Sequence, residues 1–316
     1  MKVLILGAGA IGGYFGARLL QAGRDVTFLV REGRRSELRR RGLIVKSPRG
    51  DVTIPDPPCA LASDVRQPLD LILLCCKAYD LQSAIESIRP GVGPHTVVLP
   101  LLNGMRHLRL LGQAFGASHV MGGQCAIATQ VNAQQEIIQL SEQQHLSFGE
   151  IDGSESQRAR SIALELSVPN VEGRLSKTIM CDMWEKWAML ATMAGITCLM
   201  RAPLGDILTT PHGQAWITQL FDECRAVASG AGYRLRQEYV TRTLDTFLTP
   251  GSLATASMLR DIESNHPVEA DHILGDLIEM RAAGSSSGCP ASLLDIAYGH
   301  VKAYEARRAR MMSSTR

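Results

Sequence analysis

No CxxC pair occurs in this chain, although it carries eight cysteines, at positions 59, 75, 76, 125, 181, 198, 224 and 289. Most sit inside apolar stretches, as reduced core residues do, so neither a disulfide framework nor a zinc site is indicated. None of the eight histidines has the spacing of a metal site, and no metal is expected. Long apolar runs are missing too: nothing reaches the about 18 residues of a membrane span. The opening MKVLILGAGAIGG runs into glycines without a signal-peptide cleavage pattern. A soluble cytoplasmic protein, without a membrane partner, is the expectation. An excess of one charge is also lacking, since 33 Lys+Arg against 31 Asp+Glu leave a formal net charge of +2 over 316 residues. Such a balance supplies no general drive toward nucleic acid or anionic lipid. At about 150 residues per domain the length suggests roughly two domains.

The first third alternates apolar strands with amphipathic segments. Val3 to Leu6 reads as a buried strand, Gly12 to Gln21 as a helix and Val26 to Val30 as a second strand, together a βαβ unit. Leu43–Val45 and Val52–Ile54 flank SPRGD as a hairpin; Leu69–Cys75 and Thr96–Leu99 are further strands, with Asp80–Ile88 helical between them. This pattern predicts an α/β fold: an N-terminal Rossmann-type, doubly wound parallel sheet whose ligand sits at the carboxyl ends of the strands. Val120–Gln130, Glu136–Leu140 and Leu146–Phe148 add β structure, and a helix is expected near Arg158–Leu166. Beyond it the periodicity becomes helical, predicting an all-α C-terminal domain. Its first long helix is expected to start near Ser176 as N-cap, followed by helices over Gln214–Ala228, Gln237–Leu244, Leu253–Ile262, Glu269–Arg281 and Ser292–Arg307. RRARMMSSTR reads as a frayed tail. With no internal repeat or low-complexity linker, the change of period alone sets the domains at 1–176 and 177–316.

Gly7-Ala8-Gly9-Ala10-Ile11-Gly12 follows a strand and opens a helix, the context in which GxGxxG binds a dinucleotide. Glycines permit the tight turn and the approach of a pyrophosphate, and the unpaired amides of the helix start supply donors. The competing reading is a turn that merely packs helix on strand. The second strand ends in Arg31 rather than in an acid that would bond a free ribose. A guanidinium can pair with a 2′-phosphate, with Arg34 and Arg35 adding positive potential, so NADP(H) is favoured over NAD(H). Against this stand Glu32, if it turns inward, and an ordinary solvated Arg31. Lys77 ends the run Leu71–Cys76, and Asn103 follows Val97–Leu102; both stand at strand ends where Rossmann ligands are met, although a solvated lysine and an Asn-Gly turn are common.

Taken in order, GAGAIGGYFGARL, Arg31, CCKAYD, LLNGM, WEKWA, SMLRDIE and VEADHILG resemble the ketopantoate reductase (2-dehydropantoate 2-reductase) family along nearly the whole chain. The resemblance implies a Rossmann domain followed by a helical one, NADPH and substrate bound in the cleft between them, and reduction of ketopantoate to pantoate in pantothenate biosynthesis. It implies that Gly7, Ala8, Gly9, Ala10, Ile11 and Gly12 hold the pyrophosphate and Arg31 the 2′-phosphate, with Lys77, Asn103 and Ala128 lining the cofactor site. Lys186 would be the catalytic acid, in reach of the substrate together with Asn103. Ser257 would contact substrate, and Glu269 would be a second catalytic group beside cofactor and substrate.

The chemistry is consistent with those roles. Hydride delivery to C2 of a 2-keto acid builds negative charge on the carbonyl oxygen, which a positively charged donor such as Lys186 stabilises. His107, His266 and His272 are rivals for the acid, since histidine titrates nearest neutral pH. Lys186 as a snorkelling surface lysine, Ser257 as a plain helix residue and Glu269 as a helix-start acid are the structural alternatives. The family pattern has asparagines where this chain has Leu190, Ala194 and Leu204. Three amides replaced by apolar groups favour a more apolar 2-keto acid, unless Thr192 or Thr197 supplies hydroxyls. Two other readings stay open: a β-hydroxyacid or phosphogluconate type of dehydrogenase, and a non-catalytic NADPH-binding protein. The apolar helices of the second half are candidates for a homodimer interface.

Overall fold

The computed structural model describes residues 1–281 and 292–313. The chain divides into two compact units: Met1–Leu102 with His107–Met180, and Asn103–Arg106 with the chain from Cys181 onward. The four residues Asn103–Arg106 therefore leave the sheet unit that precedes them in sequence.

The first unit is built on a parallel sheet of β1 (Val3–Leu6), β2 (Val26–Leu29), β5 (Cys59–Ala60), β6 (Leu71–Leu74) and β7 (Val97–Pro100), in the order β5-β2-β1-β6-β7. The order reverses between β1 and β6, and such a switch point opens a ligand crevice at the carboxyl ends. Side chains alternate between faces: Val3 and Ile5 join one buried cluster with Phe15, Leu19 and Phe28. Leu4 joins the other with Ile72, Ile85, Ile88 and Leu111. All of β6 and β7 is buried, as strands covered on both faces must be. A second sheet places β10 (Glu172–Leu175), β9 (Ile137–Gly149), β3 (Leu43–Lys46) and β4 (Val52–Ile54) in that order, with β8 (Gly122–Val131) paired antiparallel to β9.

Helices α1 (Ala10–Gln21), α2 (Glu32–Arg41), α3 (Leu81–Ile88), α4 (Arg106–Phe115) and α5 (Gln157–Leu166) belong to this part of the chain. Sequence patterning does not announce α2, because EGRRSELRRR buries only Leu38 and carries no apolar stripe.

The second unit is helical: α6 (Ile179–Met200), α7 (Leu204–Leu208), α8 (Gly213–Gly230), α9 (Gln237–Phe247), α10 (Ser257–Glu263), a π-turn over Asp271–Gly275 running into α11 (Asp276–Glu279), and α12 (Leu293–Ser313). Three boundaries differ from expectation, each for a local reason. Ser176 caps a tight turn, its Oγ accepting from the Thr178 amide at 3.1 Å, so α6 begins at Ile179. Residues 252–254 stay outside the helix because Gly205 and Leu204 amides donate to Ser252 and Ala254 carbonyls at 2.7 and 3.1 Å, so α10 begins at Ser257. Of the expected frayed tail, residues 307–313 are helical and 314–316 lie outside the described residues. Tyr304 Oη and Arg308 Nε donate to the His266 and Asn265 carbonyls at 2.8 and 2.9 Å. The expected Glu269–Arg281 helix spans 270–279. No helix among the described residues is long and apolar enough to cross a membrane.

Candidate functional site

Strand β1 delivers the chain into the glycine turn. Gly7 takes φ 97°, a conformation that a side chain resists. A Cβ on Gly12 would lie 2.1 Å from the Gly7 carbonyl oxygen, so the helix start can approach the strand only without one. Among the described residues a Cβ on Gly9 would meet nothing within 4 Å, so the front of the turn is open. The first hydrogen bond of α1 runs from Gly13 N to Gly9 O at 2.8 Å, which leaves the amides of Ala10, Ile11 and Gly12 without a helical acceptor. No side chain caps the helix and no acid lies in its first turn. Tight backbone, open front and unsatisfied amides at a positive helix end fit a pyrophosphate.

Arg34 braces this turn, its Nε and Nη2 donating to the Ala8 carbonyl at 3.2 and 2.9 Å and its Nη1 meeting Glu37 at 2.9 Å. It is thus occupied as a support for the loop rather than spread toward a phosphate, a role hidden in the sequence because its partner is 26 residues away. Glu32 does not turn inward: Arg35 Nη2 and Ser36 Oγ bond its carboxylate at 2.6 and 3.2 Å along α2. Arg31 is 79% exposed and reaches Asp80 Oδ1 at 2.6 Å.

Lys77 is partly buried, and its carbonyl accepts from Asp80 N at 3.0 Å, closing the turn Ala78–Asp80 after β6. Ala128 sits where the β8–β9 register breaks, with Ile127 opposite Gln144 and Thr129 opposite Gln139. Irregularities of this kind re-aim backbone beside functional sites. Asn103 groups with the helical unit. Gly104, at φ 77°, packs so closely on the π-turn that a Cβ would lie 2.5 Å from the His272 carbonyl oxygen. Arg106 clamps the segment to α11, with Nη2 to Glu279 at 2.7 Å and Nε to Asp276 at 3.4 Å.

In the helical unit, Lys186 stands partly buried on α6 between fully buried Glu185 and Trp187. Among the described residues no hydrogen bond or ion pair engages its ammonium. Its neighbours are fixed. Trp187 Nε1 donates to the Ile273 carbonyl at 2.9 Å, tying α6 to the π-turn that follows Glu269. Glu185 accepts from the Arg236 amide and Nε, both at 2.9 Å, and Arg236 Nη2 reaches Asp182 at 2.5 Å. These two carboxylates hold the Arg236 guanidinium above its ordinary pKa, Glu185 being the stronger. Glu269 is buried just before the π-turn, its carbonyl accepting from Ile273 N at 3.0 Å; π-turns inside helices recur at functional sites. Ser257 is the first residue of α10 and is exposed.

The rival acids separate clearly. Burial, and secondarily the Arg106 charge, push the His272 pKa down to about 4, so it is neutral near pH 7. His266 is exposed, and His107 lies in the other unit and is fully buried. The apolar substitutions do not act as one set. Leu204 and Ala194 are buried at 0% and 2% exposure, so of the three only Leu190, one turn after Lys186, presents partly accessible surface. Thr192 and Thr197 offer no compensation, because their hydroxyls donate back to Ala188 and Met193 carbonyls at 2.8 and 2.7 Å.

Residues 3–153 match the family model described as ketopantoate reductase PanE/ApbA, and residues 178–305 match its C-terminal counterpart. An uncharacterized oxidoreductase, YkpB of Bacillus subtilis, is 35% identical over 98% of this chain and 100% of its own. The crystal structure of 2-dehydropantoate 2-reductase from Geobacter metallireducens superposes with a TM-score of 0.85 at 26% identity, covering 96% of this chain and 99% of that one. A ternary structure of D-mandelate dehydrogenase with NADH and anilino(oxo)acetate also gives 0.85, at 22% identity over 98% and 100%; at that identity the likeness is one of fold.

Proposed function

We propose, since this chain belongs to the ketopantoate reductase family of oxidoreductases, that it reduces a 2-keto acid to a 2-hydroxy acid with NADPH, as a 2-dehydropantoate 2-reductase does. Residues 1–176 are its dinucleotide side and 177–316 its catalytic side, with Asn103 carried by the latter. The nicotinamide cofactor, when bound, supplies the hydride. Gly7, Ala8, Gly9, Ala10, Ile11 and Gly12 bind its pyrophosphate through backbone amides, Arg31 meets the 2′-phosphate, and Lys77 and Ala128 line the same site. Lys186 holds a proton on Nζ and passes it to the carbonyl oxygen as negative charge develops there. Asn103 orients the carbonyl, Ser257 Oγ bonds the substrate carboxylate, and the buried Glu269 side chain is a second polar group beside cofactor and substrate.

The observation that carries this reading is the state of Lys186. Its ammonium is free of partners among the described residues, while Trp187 and Glu185 on either side are locked into the π-turn and into Arg236. A cation kept unpaired on a braced helix is available to a substrate oxygen. One feature favours a second substrate. Leu190, on the same face as Lys186, offers an apolar surface where the family pattern has an amide, and this suits a 2-keto acid with an apolar substituent. A cytoplasmic location and a homodimer accord with this reading. A panel of 2-keto acids that includes ketopantoate, followed by the loss of reduced-nicotinamide absorbance, tests it. Fastest turnover with ketopantoate supports the first substrate, and fastest turnover with a phenyl- or alkyl-substituted acid the second. No turnover across the panel, with tight dinucleotide binding, would replace both with a non-catalytic role.

A further inference from the structure

Three arginines follow β2 closely enough to meet a nucleotide phosphate, and each already has a carboxylate. Arg34 pairs with Glu37 at 2.9 Å, Arg35 with Glu32 at 2.6 Å and with Asp64 at 3.7 Å, and Arg31 with Asp80 at 2.6 Å. These three cations and four anions sum to a formal charge of −1, a poor match for a phosphate dianion. Arg34 and Arg35 are sequestered, with side chains 18% and 21% exposed, whereas that of Arg31 is 79% exposed. Among the described residues Asp80 is the group that holds Arg31.

We infer that Asp80 governs the choice between NADPH and NADH, by competing with a 2′-phosphate for Arg31 and by offering an acceptor to a free ribose hydroxyl. The inference rests on the dinucleotide reading above and goes beyond it. Open parallel sheets usually present the ribose-reading carboxylate at the end of the second strand. Here that place holds Arg31, and the carboxylate arrives from the turn after β6. Its position is firm: Asp80 N donates to the Lys77 carbonyl at 3.0 Å, and Ser83 Oγ donates to the Asp80 carbonyl at 2.9 Å. A 2′-phosphate that reaches Arg31 must displace this carboxylate or bind beside it, and the two anions repel in either case. A ribose diol meets no such repulsion and can donate to the carboxylate directly. The chain is therefore built to accept both cofactors, with Asp80 limiting the preference that Arg31 creates.

The test measures dissociation constants of NADPH and NADH by nicotinamide fluorescence, which needs no substrate, for the wild type, Asp80→Asn, Arg31→Ala and the double variant. Asp80→Asn should tighten NADPH by about tenfold, the scale of one exposed charge acting on a dianion. NADH should stay unchanged or weaken. With Arg31→Ala in place, the same substitution should tighten NADPH by clearly less than in the wild type, because the competition for the guanidinium is gone and only the direct repulsion remains. Asp80→Ala serves as the second variant and should shift the NADPH:NADH ratio in the same direction. If wild type binds NADPH and Arg31→Ala weakens it, yet neither Asp80 variant moves the ratio, this inference fails and the cofactor reading stands. If wild type binds neither dinucleotide, the cofactor reading fails and takes the inference with it.

Discussion

Gly9→Ala and Gly12→Ala should separate nucleotide binding from folding. At Gly9 the backbone has φ −91°, which alanine adopts without strain, and among the described residues the new methyl meets nothing within 4 Å. Losing glycine at a helix N-cap costs up to about 1 kcal/mol, and reduced freedom of the unfolded chain returns about 0.4–1 kcal/mol. Thermal stability without ligand should therefore hardly change. The methyl nevertheless fills the front of the turn, where a pyrophosphate must come within hydrogen-bond distance of the amides. Loss of two bonds to a charged group, at about 1.5–3 kcal/mol each, weakens binding about 100-fold to 10,000-fold. Gly12→Ala instead places a methyl 2.1 Å from the Gly7 carbonyl oxygen and 3.0 Å from Cys75 Cβ and Ile5 Cγ2. Overpacking of this kind costs about 1–3 kcal/mol or more, so stability and binding should fall together. Thermal unfolding without ligand and NADPH titration of both variants decide the matter. Gly9→Ala binding as wild type, or unfolding as early as Gly12→Ala, would refute the assignment of the open front to the pyrophosphate.

Lys186→Ala should lower turnover by about 100-fold to 10,000-fold on the best panel substrate, with the NADPH dissociation constant nearly unchanged; retained turnover would move the acid elsewhere. His272 has a folded pKa of about 4 against an ordinary 6.5. Its contribution to stability is thus fully present above pH 6.5 and is lost as pH falls toward 4. Between about pH 7.5 and about pH 5 that loss is about 2 kcal/mol, and in His272→Gln this part of the pH dependence of urea unfolding should disappear. Arg236→Ala takes the guanidinium away from two carboxylates that are 4% and 1% exposed and should cost about 3 kcal/mol, read as a lower urea midpoint. Arg236→Lys should restore only part of it, since an ammonium cannot fork to both acids.

What could be read along the chain followed the reach of each interaction. The βαβ start, the glycine turn and the hairpin rest on contacts within about 30 residues, and periodicity exposed them. Helix α2 escaped because its single buried side chain, Leu38, makes no stripe. The apolar period places the start of α10 too early because it runs through Leu253 and Ala256, while bonds from Leu204 and Gly205, about 50 residues earlier, hold that stretch out of the helix. Site partners were the least legible. Asp80 faces Arg31 across 49 positions, and Gly104 rests on His272 across more than 160. An ion pair or a backbone contact of that range leaves no local pattern. Asn103 therefore looked like the end of a sheet strand, although it groups with the helical unit.

The three positions where family asparagines are absent show how burial alters a substrate argument. Lys186, Leu190 and Ala194 lie at four-residue steps along α6; the first two are partly buried, whereas Ala194 is closed at 2% exposure. An amide at 194 would need its own buried partners, and the nearest hydroxyl on the helix, Thr197, already donates to Met193. Leu204 is enclosed completely, its amide held by Ala254. Two of the three replacements therefore remove polar groups from packed surroundings, where alanine and leucine are the ordinary residues. On the proposed function, substrate selection at these positions would narrow to Leu190. A ligand that met Lys186 with its carbonyl oxygen would present its substituent to that one side chain, and a hydroxylated or a hydrocarbon substituent would be told apart there by desolvation rather than by a row of hydrogen bonds. Discrimination of that kind is worth only about 1–3 kcal/mol per methylene-sized difference, so the enzyme should be graded in its preferences among 2-keto acids rather than absolute.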